Sequence, residues 1–353
     1  MKFAHLPLPE ELTHRIMGLR PVDLVDTMQV AQLPMRVKFR GITTRTVALI
    51  TGDAGIGEFC PFPEYSPAQA ATWLASAIEA AYLGLPAAGR DKVAVNGTIP
   101  AVEPGAVRSL LDRYRDVGTL KVKVSEPGQT LQDDCARLAV IRQLRPDARL
   151  RVDANGGWTV DEAVKAAEAF GELEYMEQPC RASSDLIRLR QRLRELGIHT
   201  PVAADESIRL EDDPTAMVRS GGVDAVVLKV APLGGVRRTL ALAQLCAAQG
   251  IAVTIASALE SGVGMYSGLV AASLLPSRAA GLATQTMFTT DLTAPTMIEG
   301  GCLPVTPPQV LAAAVARTAA AKDTTSWWRS HVAATLSSLQ QQLAAAATPP
   351  ADH

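Results

Sequence analysis

The chain has 353 residues, 48% of them apolar and 20% charged, enough for one large core and more than the ~250 residues usual for an eight-stranded α/β barrel, so a second, smaller domain is expected. A net charge of −2 with 4% aromatic residues supplies neither the basic stripe nor the stacking surface that nucleic acid needs; a small molecule is the expected partner. Cys60, Cys135, Cys180, Cys246 and Cys302 are far apart and form no CxxC pair, which argues against a zinc knuckle or disulfide framework and for a reducing, cytoplasmic setting.

The N-terminal stretch "MKFAHLPLPEELTHRIMG" has no signal-peptide core, and no apolar run reaches membrane-spanning length; neither export nor a membrane partner is expected. Residues 25–66 then read as a strand meander broken by Gly and Pro, with "GDAGIGE" as a hairpin turn rather than a dinucleotide loop. "SPAQAATWLASAIEAAYLG" follows as helix, capped by Ser66. The texture is that of a small α+β domain over residues 1–90.

From Lys92 the pattern becomes rhythmic. "KVAVNGTI", "TLKVKVS", "RLRVDAN", "EYMEQP", "PVAADES", "AVVLKV", "AVTIAS" and "AGLAT" are short β-like runs, most separated by Ala-, Leu- and Arg-rich helical stretches. Alternating βα units with apolar strands imply a parallel sheet, and eight of them imply a closed barrel, here over residues 91–299.

Lys123, Asp153, Glu177, Asp205, Lys229 and Ser257 fall near successive strand ends, 24 to 30 residues apart. One βα unit separates each from the next, so a barrel would gather all six at its C-terminal mouth. Taken singly, Asp153 and Asp205 read equally well as helix caps, and the lysines as snorkelling surface residues. Glu177 resists the first reading because "MEQP" leads into proline rather than into a helix. Lys121 shares a strand face with Lys123, with the two ammonium groups about 7 Å apart along it.

Three carboxylates on adjacent strands make a hard, all-oxygen donor set that selects Mg²⁺ over zinc. His5, His14, His199, His331 and His353 all lie off the strand ends, so proton transfer falls to lysine. A lysine ordinarily titrates near ~10.4, and burial beside other cations lowers it toward the ~7–8 useful to a general base. On that argument Lys121 is an electrostatic neighbour that helps keep Lys123 deprotonated.

"KVK", "DAN", "EQP", "DES" and the lysine of "VVLKV" together resemble the muconate-lactonising branch of the enolase superfamily. Within that branch "FRGITTR", "GEFCPFPEY", "VNGTIPA" and "SALESGVG" are similar to the o-succinylbenzoate synthases of menaquinone biosynthesis. The resemblance runs from about residue 28 to 308 and departs at Ile56, where an aromatic residue is expected beside a capping loop. It implies a (β/α)7β TIM-like barrel with an α+β capping domain, the capping domain completed by a C-terminal segment at about 300–330. Residues 331–353 are expected to be helical and then disordered, with "ATPPADH" mobile and helix within 310–347.

The same resemblance implies Asp153, Glu177 and Asp205 as ligands of Mg²⁺, with Mn²⁺ as a substitute, and Lys123 and Lys229 as catalytic groups on opposite sides of a small carboxylate substrate. The implied reaction is a syn dehydration that begins with abstraction of an α-proton. Asn155, Gln178, Glu206 and Arg151 are implied behind the metal ligands, Arg151 either facing the interior or pairing with a carboxylate. Lys121, Ser257, Ser261 and Gly262 are implied at the substrate, although Ser261 reads equally as a helix cap. The competing readings are an N-succinylamino acid racemase or dipeptide epimerase using the same lysines and metal, and a barrel that binds without catalysis. Oligomeric state is not legible in the sequence.

Overall fold

The computed structural model describes residues 3–39 and 41–347. Strands β1 (Gln29–Phe39), β2 (Ile42–Gly52) and β3 (Gly55–Phe59) form an antiparallel meander. The tight β2–β3 connection pairs Gly52 with Gly55, so "GDAGIGE" is the expected hairpin. Ile56 lies inside β3, paired with Thr51 and 36% exposed. The departure at Ile56 thus falls at the exposed start of a strand whose last three residues are buried.

Helix Pro67–Ile78 starts at Ser66, whose hydroxyl accepts from Gln69 N while the Gln69 side chain accepts from Ser66 N. This reciprocal cap satisfies two donors that a helix start would leave unpaired. The helix packs with helix Glu10–Gly18 and the meander around Leu12, Ile16, Phe59, Trp73 and Ile78.

The expected helix in residues 310–347 is present as Ala312–Thr318 and Lys322–Ala347. The longer one buries Trp328, Val332, Leu336, Leu339 and Leu343, a 3–4-residue spacing that puts them on one face. That face completes the core of the N-terminal unit, and Ala320 N donates to Val30 O at 2.9 Å. Apart from Ala347, the "ATPPADH" tail expected to be mobile lies outside the described residues.

The barrel begins near Val95. Strands β5 (Gly97–Ile99), β6 (Thr119–Lys123), β7 (Arg149–Asp153), β8 (Tyr175–Glu177), β9 (Val202–Ala204), β10 (Ala225–Leu228) and β11 (Ala252–Ile255) form one seven-stranded sheet in chain order. All its pairings are parallel. The "AGLAT" stretch closes it: Ala280 bridges Val95 and Gly281 bridges Ala256, both in parallel. The start of "KVAVNGTI" departs from expectation, because β4 (Lys92–Ala94) pairs antiparallel with β12 (Cys302–Pro304) outside the barrel. Helices Leu131–Leu144 and Val160–Phe170 carry the same reciprocal cap, Thr130 with Asp133 and Thr159 with Glu162. All five cysteines are free, and among the described residues no helix is long and apolar enough to cross a membrane.

Candidate active site

Register assembles the site. Lys123 pairs with Asp153 across β6 and β7, and Asp153 with Glu177 across β7 and β8, so the three lie in one row at the strand ends. Asp205 and Lys229 directly follow β9 and β10. The non-glycine residues with positive φ among those described are Ser125, Asn155, Gln178 and Leu259, the first three one or two residues beyond strands that carry candidate groups and Leu259 in the loop after β11. Backbone held in this sparsely populated region costs about 1–3 kcal/mol per residue and gathers at functional sites.

The carboxylates of Asp153, Glu177 and Asp205 are 2%, 1% and 1% exposed. Lys121 Nζ lies 3.0 Å from both oxygens of Glu177 and 3.1 Å from Asp153 Oδ2. Lys123 Nζ is 2.7 Å from Asp153 Oδ2 and 2.6 Å from Asn155 Oδ1, and Lys229 Nζ is 2.6 Å from Asp205 Oδ2. Burial and the charge of Asp153 push the Glu177 carboxyl up to about 7, against the pull of Lys121. Burial works the same way on Asp153, but Lys123 and Lys121 hold that carboxyl well below its usual range. Burial alone would lower Lys121; the charges of Glu177 and Asp153 outweigh it and keep its ammonium well above the ordinary value. Lys121 therefore does not stand bare against Lys123: Asp153 Oδ2 lies between the two ammonium groups, and Glu177 gives Lys121 a second carboxylate.

Whether a divalent cation suits this site turns on the donors. Among the described residues no three His, Cys, Asp or Glu groups are near enough to hold an ion as they stand, and lysine ammonium groups lie on at least one oxygen of each of the three carboxylates. The donor set nevertheless fits a hard cation: it is all oxygen, comes from the ends of three adjacent strands and is buried from water.

Behind these groups, Gln178 Oε1 accepts from Asp205 N at 3.0 Å and Ser207 N at 3.1 Å, tying the end of β8 to the Asp205 turn. Asn155 Nδ2 reaches Glu206 Oε1 at 3.4 Å. Arg151 does both things open to it: it faces the interior, 0% exposed, and pairs with Glu174 Oε2 at 2.7 Å. Its other bonds run to Asn96 Oδ1 and Ala279 O, which places it in the barrel floor rather than behind the metal ligands.

The loop after β11 differs from expectation. Ser261 caps helix Gly262–Ser273, and the N–H groups expected to meet a substrate carboxylate already serve protein carboxylates. Glu58 takes Ser261 N at 3.0 Å, Gly264 N at 3.1 Å and the Ser261 hydroxyl, while Asp291 takes Gly262 N at 3.0 and 3.1 Å. A helix N-terminus attracts anions, and here the chain supplies its own. Burial lifts the Glu58 carboxyl above its usual value. Ser257 Oγ, half-buried, donates to Glu260 Oε2 at 2.6 Å. Arg45, 1% exposed, donates to the carbonyls of Leu259, Ala258, Pro61 and Cys60 and fastens this loop to the capping domain.

Arg209, unnoticed in the sequence, donates to Asp205 Oδ1 at 3.0 Å and Glu206 Oε1 at 2.6 Å. The signal for it was a basic residue four and three positions after two candidate acids, a helical spacing. Glu58 and Arg45 lie in the motifs "GEFCPFPEY" and "FRGITTR", but nothing near them in sequence, or near Asp291, marks the loop after β11 as their partner.

Residues 106–346 match the enolase C-terminal domain-like family and residues 30–81 the enolase N-terminal domain-like family. An o-succinylbenzoate synthase of Mycolicibacterium smegmatis is 50% identical over 290 residues, covering 81% of this chain and 87% of its own. Those of Mycobacterium ulcerans and Mycobacterium leprae are 51% and 50% identical, covering 80% and 81% of this chain and 84% of their own in each case. The muconate lactonizing enzyme of Pseudomonas fluorescens, solved with muconolactone, superposes with a TM-score of 0.68 at 22% identity over 83% of this chain and 98% of its own, a likeness of fold. With both domain families matched in order and about half of the residues shared with these relatives over four-fifths of its length, the chain belongs to the o-succinylbenzoate synthase family of the enolase superfamily.

Proposed function

We propose that the protein catalyses the syn dehydration of 2-succinyl-6-hydroxy-2,4-cyclohexadiene-1-carboxylate to o-succinylbenzoate, a hydro-lyase step of menaquinone biosynthesis, in the cytoplasm. The observation that carries this reading is the set of relatives about 50% identical that share one enzyme name. It favours dehydration over the racemase and epimerase alternatives, and over a barrel that only binds.

Asp153, Glu177 and Asp205 are the residues that would hold Mg²⁺ or Mn²⁺. When bound, the cation supplies positive charge opposite a carboxylate that becomes an enediolate as the α-proton leaves. Lys123, with its side chain 17% exposed at the end of β6, removes that proton. A syn elimination lets the same lysine deliver that proton to the departing hydroxyl, so the β-C–O bond breaks on the face from which the proton was taken, water leaves and the ring becomes aromatic. Lys229, held by Asp205 on the other side, acts as a fixed positive charge toward the enediolate and the developing ring. Lys121 contributes by favouring the ionised forms of Glu177 and Asp153 against their burial. Ser261 and Gly262 are engaged by Glu58 and Asp291, and the half-buried Ser257 hydroxyl by Glu260, Leu259 N and Thr284, so a succinyl carboxylate meeting this loop would have to exchange one of these bonds for its own.

The test offers the enzyme both substrates, the cyclohexadiene carboxylate and an N-succinylamino acid in ²H₂O. Dehydration much faster than racemisation is expected. Efficient racemisation with negligible dehydration would overturn the reading, because Lys229 would then have to exchange protons itself.

A further inference from the structure

The two lysines are joined by one continuous polar chain around the mouth. Lys123 Nζ bonds Asn155 Oδ1 at 2.6 Å, and Asn155 Nδ2 reaches Glu206 Oε1 at 3.4 Å. Arg209 Nη2 meets that same oxygen at 2.6 Å and Arg209 Nε meets Asp205 Oδ1 at 3.0 Å. Asp205 Oδ2 then takes Lys229 Nζ at 2.6 Å. Arg209 also points Nη1 at the Tyr65 hydroxyl, 3.4 Å away and 144 residues distant in sequence. Tyr65 lies beyond β3 in the capping domain, edge-on to Phe62 and Trp73.

We propose that Arg209 is a positioning residue for the dehydration. It holds Asp205 and Glu206 in place, and through Asp205 the side chain of Lys229, and it makes that arrangement depend on the capping domain through Tyr65. A guanidinium suits this task because its planar fork presents donors in fixed directions, one for each of three acceptors on two domains. Asp205 offers one oxygen to Arg209 and the other to Lys229, so losing Arg209 frees the carboxylate to turn and both oxygens to compete for the lysine.

A plain helix-stabilising ion pair is the competing account, since Asp205 and Glu206 precede Arg209 by four and three residues. Two observations weigh against it. The helix concerned, Glu206–Arg209, is four residues long and gains little from such pairs. The Arg209 side chain is 4% exposed, where an Arg or Lys head normally stays in water.

The proposal rests on the reading of Asp153, Glu177 and Asp205 as cation ligands, and its test separates the two. Arg209→Lys, Arg209→Met and Tyr65→Phe are made in the full chain. Mg²⁺ affinity is taken from the Mg²⁺-dependent thermal shift without substrate, and kcat and KM are measured for dehydration. Residues that orient metal ligands typically affect metal affinity or activity about 10–100-fold. Both Arg209 variants should show that loss in Mg²⁺ affinity and in kcat with KM nearly unchanged, and lysine should not rescue because it lacks the fork. Tyr65→Phe, which deletes one hydrogen bond, should keep Mg²⁺ affinity and lose about two- to tenfold in kcat/KM. A wild-type protein with no Mg²⁺-dependent shift overturns the ligand reading and this proposal with it. A normal wild-type shift that both Arg209 variants reproduce at unchanged kcat overturns the proposal alone, and a Tyr65→Phe enzyme equal to wild type removes the capping domain from it.

Discussion

Lys121 and Glu177 meet inside the barrel with one strand between them, the ammonium nitrogen 3.0 Å from each carboxylate oxygen. Both are buried, at 9% and 1% exposed, so neither can lose its partner cheaply. Lys121→Met should cost about 3–5 kcal/mol, the range for breaking a buried pair from one side. Urea unfolding at neutral pH measures it, and a change below about 1 kcal/mol would show that the pair is dispensable.

Lys123 should be essential as the base. Lys123→Ala and Lys123→Arg are expected to abolish dehydration while the fold persists, because Arg keeps the charge but cannot give up a proton at neutral pH. Steady-state kinetics with circular dichroism on the same samples checks this. Turnover by Lys123→Arg within tenfold of wild type would move the base elsewhere.

Chelation should abolish turnover, and added Mg²⁺ should restore it. Bound cation also adds stability to the native state in proportion to the logarithm of its concentration over Kd. The melting temperature should therefore fall on chelation and recover with Mg²⁺. A chelated enzyme that keeps full activity would refute the cation reading.

The barrel floor predicts an acid sensitivity. Burial alone would raise the Glu174 carboxyl, but its hydrogen bond to Arg151 and the charges of Arg151 and Arg278 hold it below its ordinary value of 4.5. A carboxyl whose folded pKa is depressed contributes stability that is present above the unfolded pKa and is lost as pH falls through the folded one. Wild type should thus lose more melting temperature than Glu174→Gln between pH 5 and about pH 3. Parallel curves for the two proteins would show that the contact carries no linkage.

Helix Lys322–Ala347 should be integral to the capping domain rather than an appendage. Trp328, 2% exposed, meets Phe59 edge-on with ring centroids 5.7 Å apart. Trp328→Ala should destabilise by about 3–5 kcal/mol. Thermal unfolding reads the loss, and a change under 1 kcal/mol would mean that the helix docks without supporting the fold.

What the sequence alone determined was whatever depends on period and parity. A βα unit has a characteristic length, so a carboxylate or lysine recurring once per unit near a strand end had to come to the barrel mouth with the others. Alternation along a strand likewise put Lys121 on one face with Lys123 and Arg151 on one face with Asp153. The partners of those groups were beyond reach of such rules. Arg151 and Asp153 share a parity, yet one serves the floor with Glu174 and the other the mouth with Lys123, because depth along the barrel separates them. The helix start at Ser261 read either as a plain cap or as a seat for a substrate carboxylate; Ser261 is the cap, and the carboxylates that fill the site are Glu58 and Asp291. Those carboxylates arrive from another domain and another loop, and a buried polar group binds whatever the packed chain brings within reach, however far away in sequence.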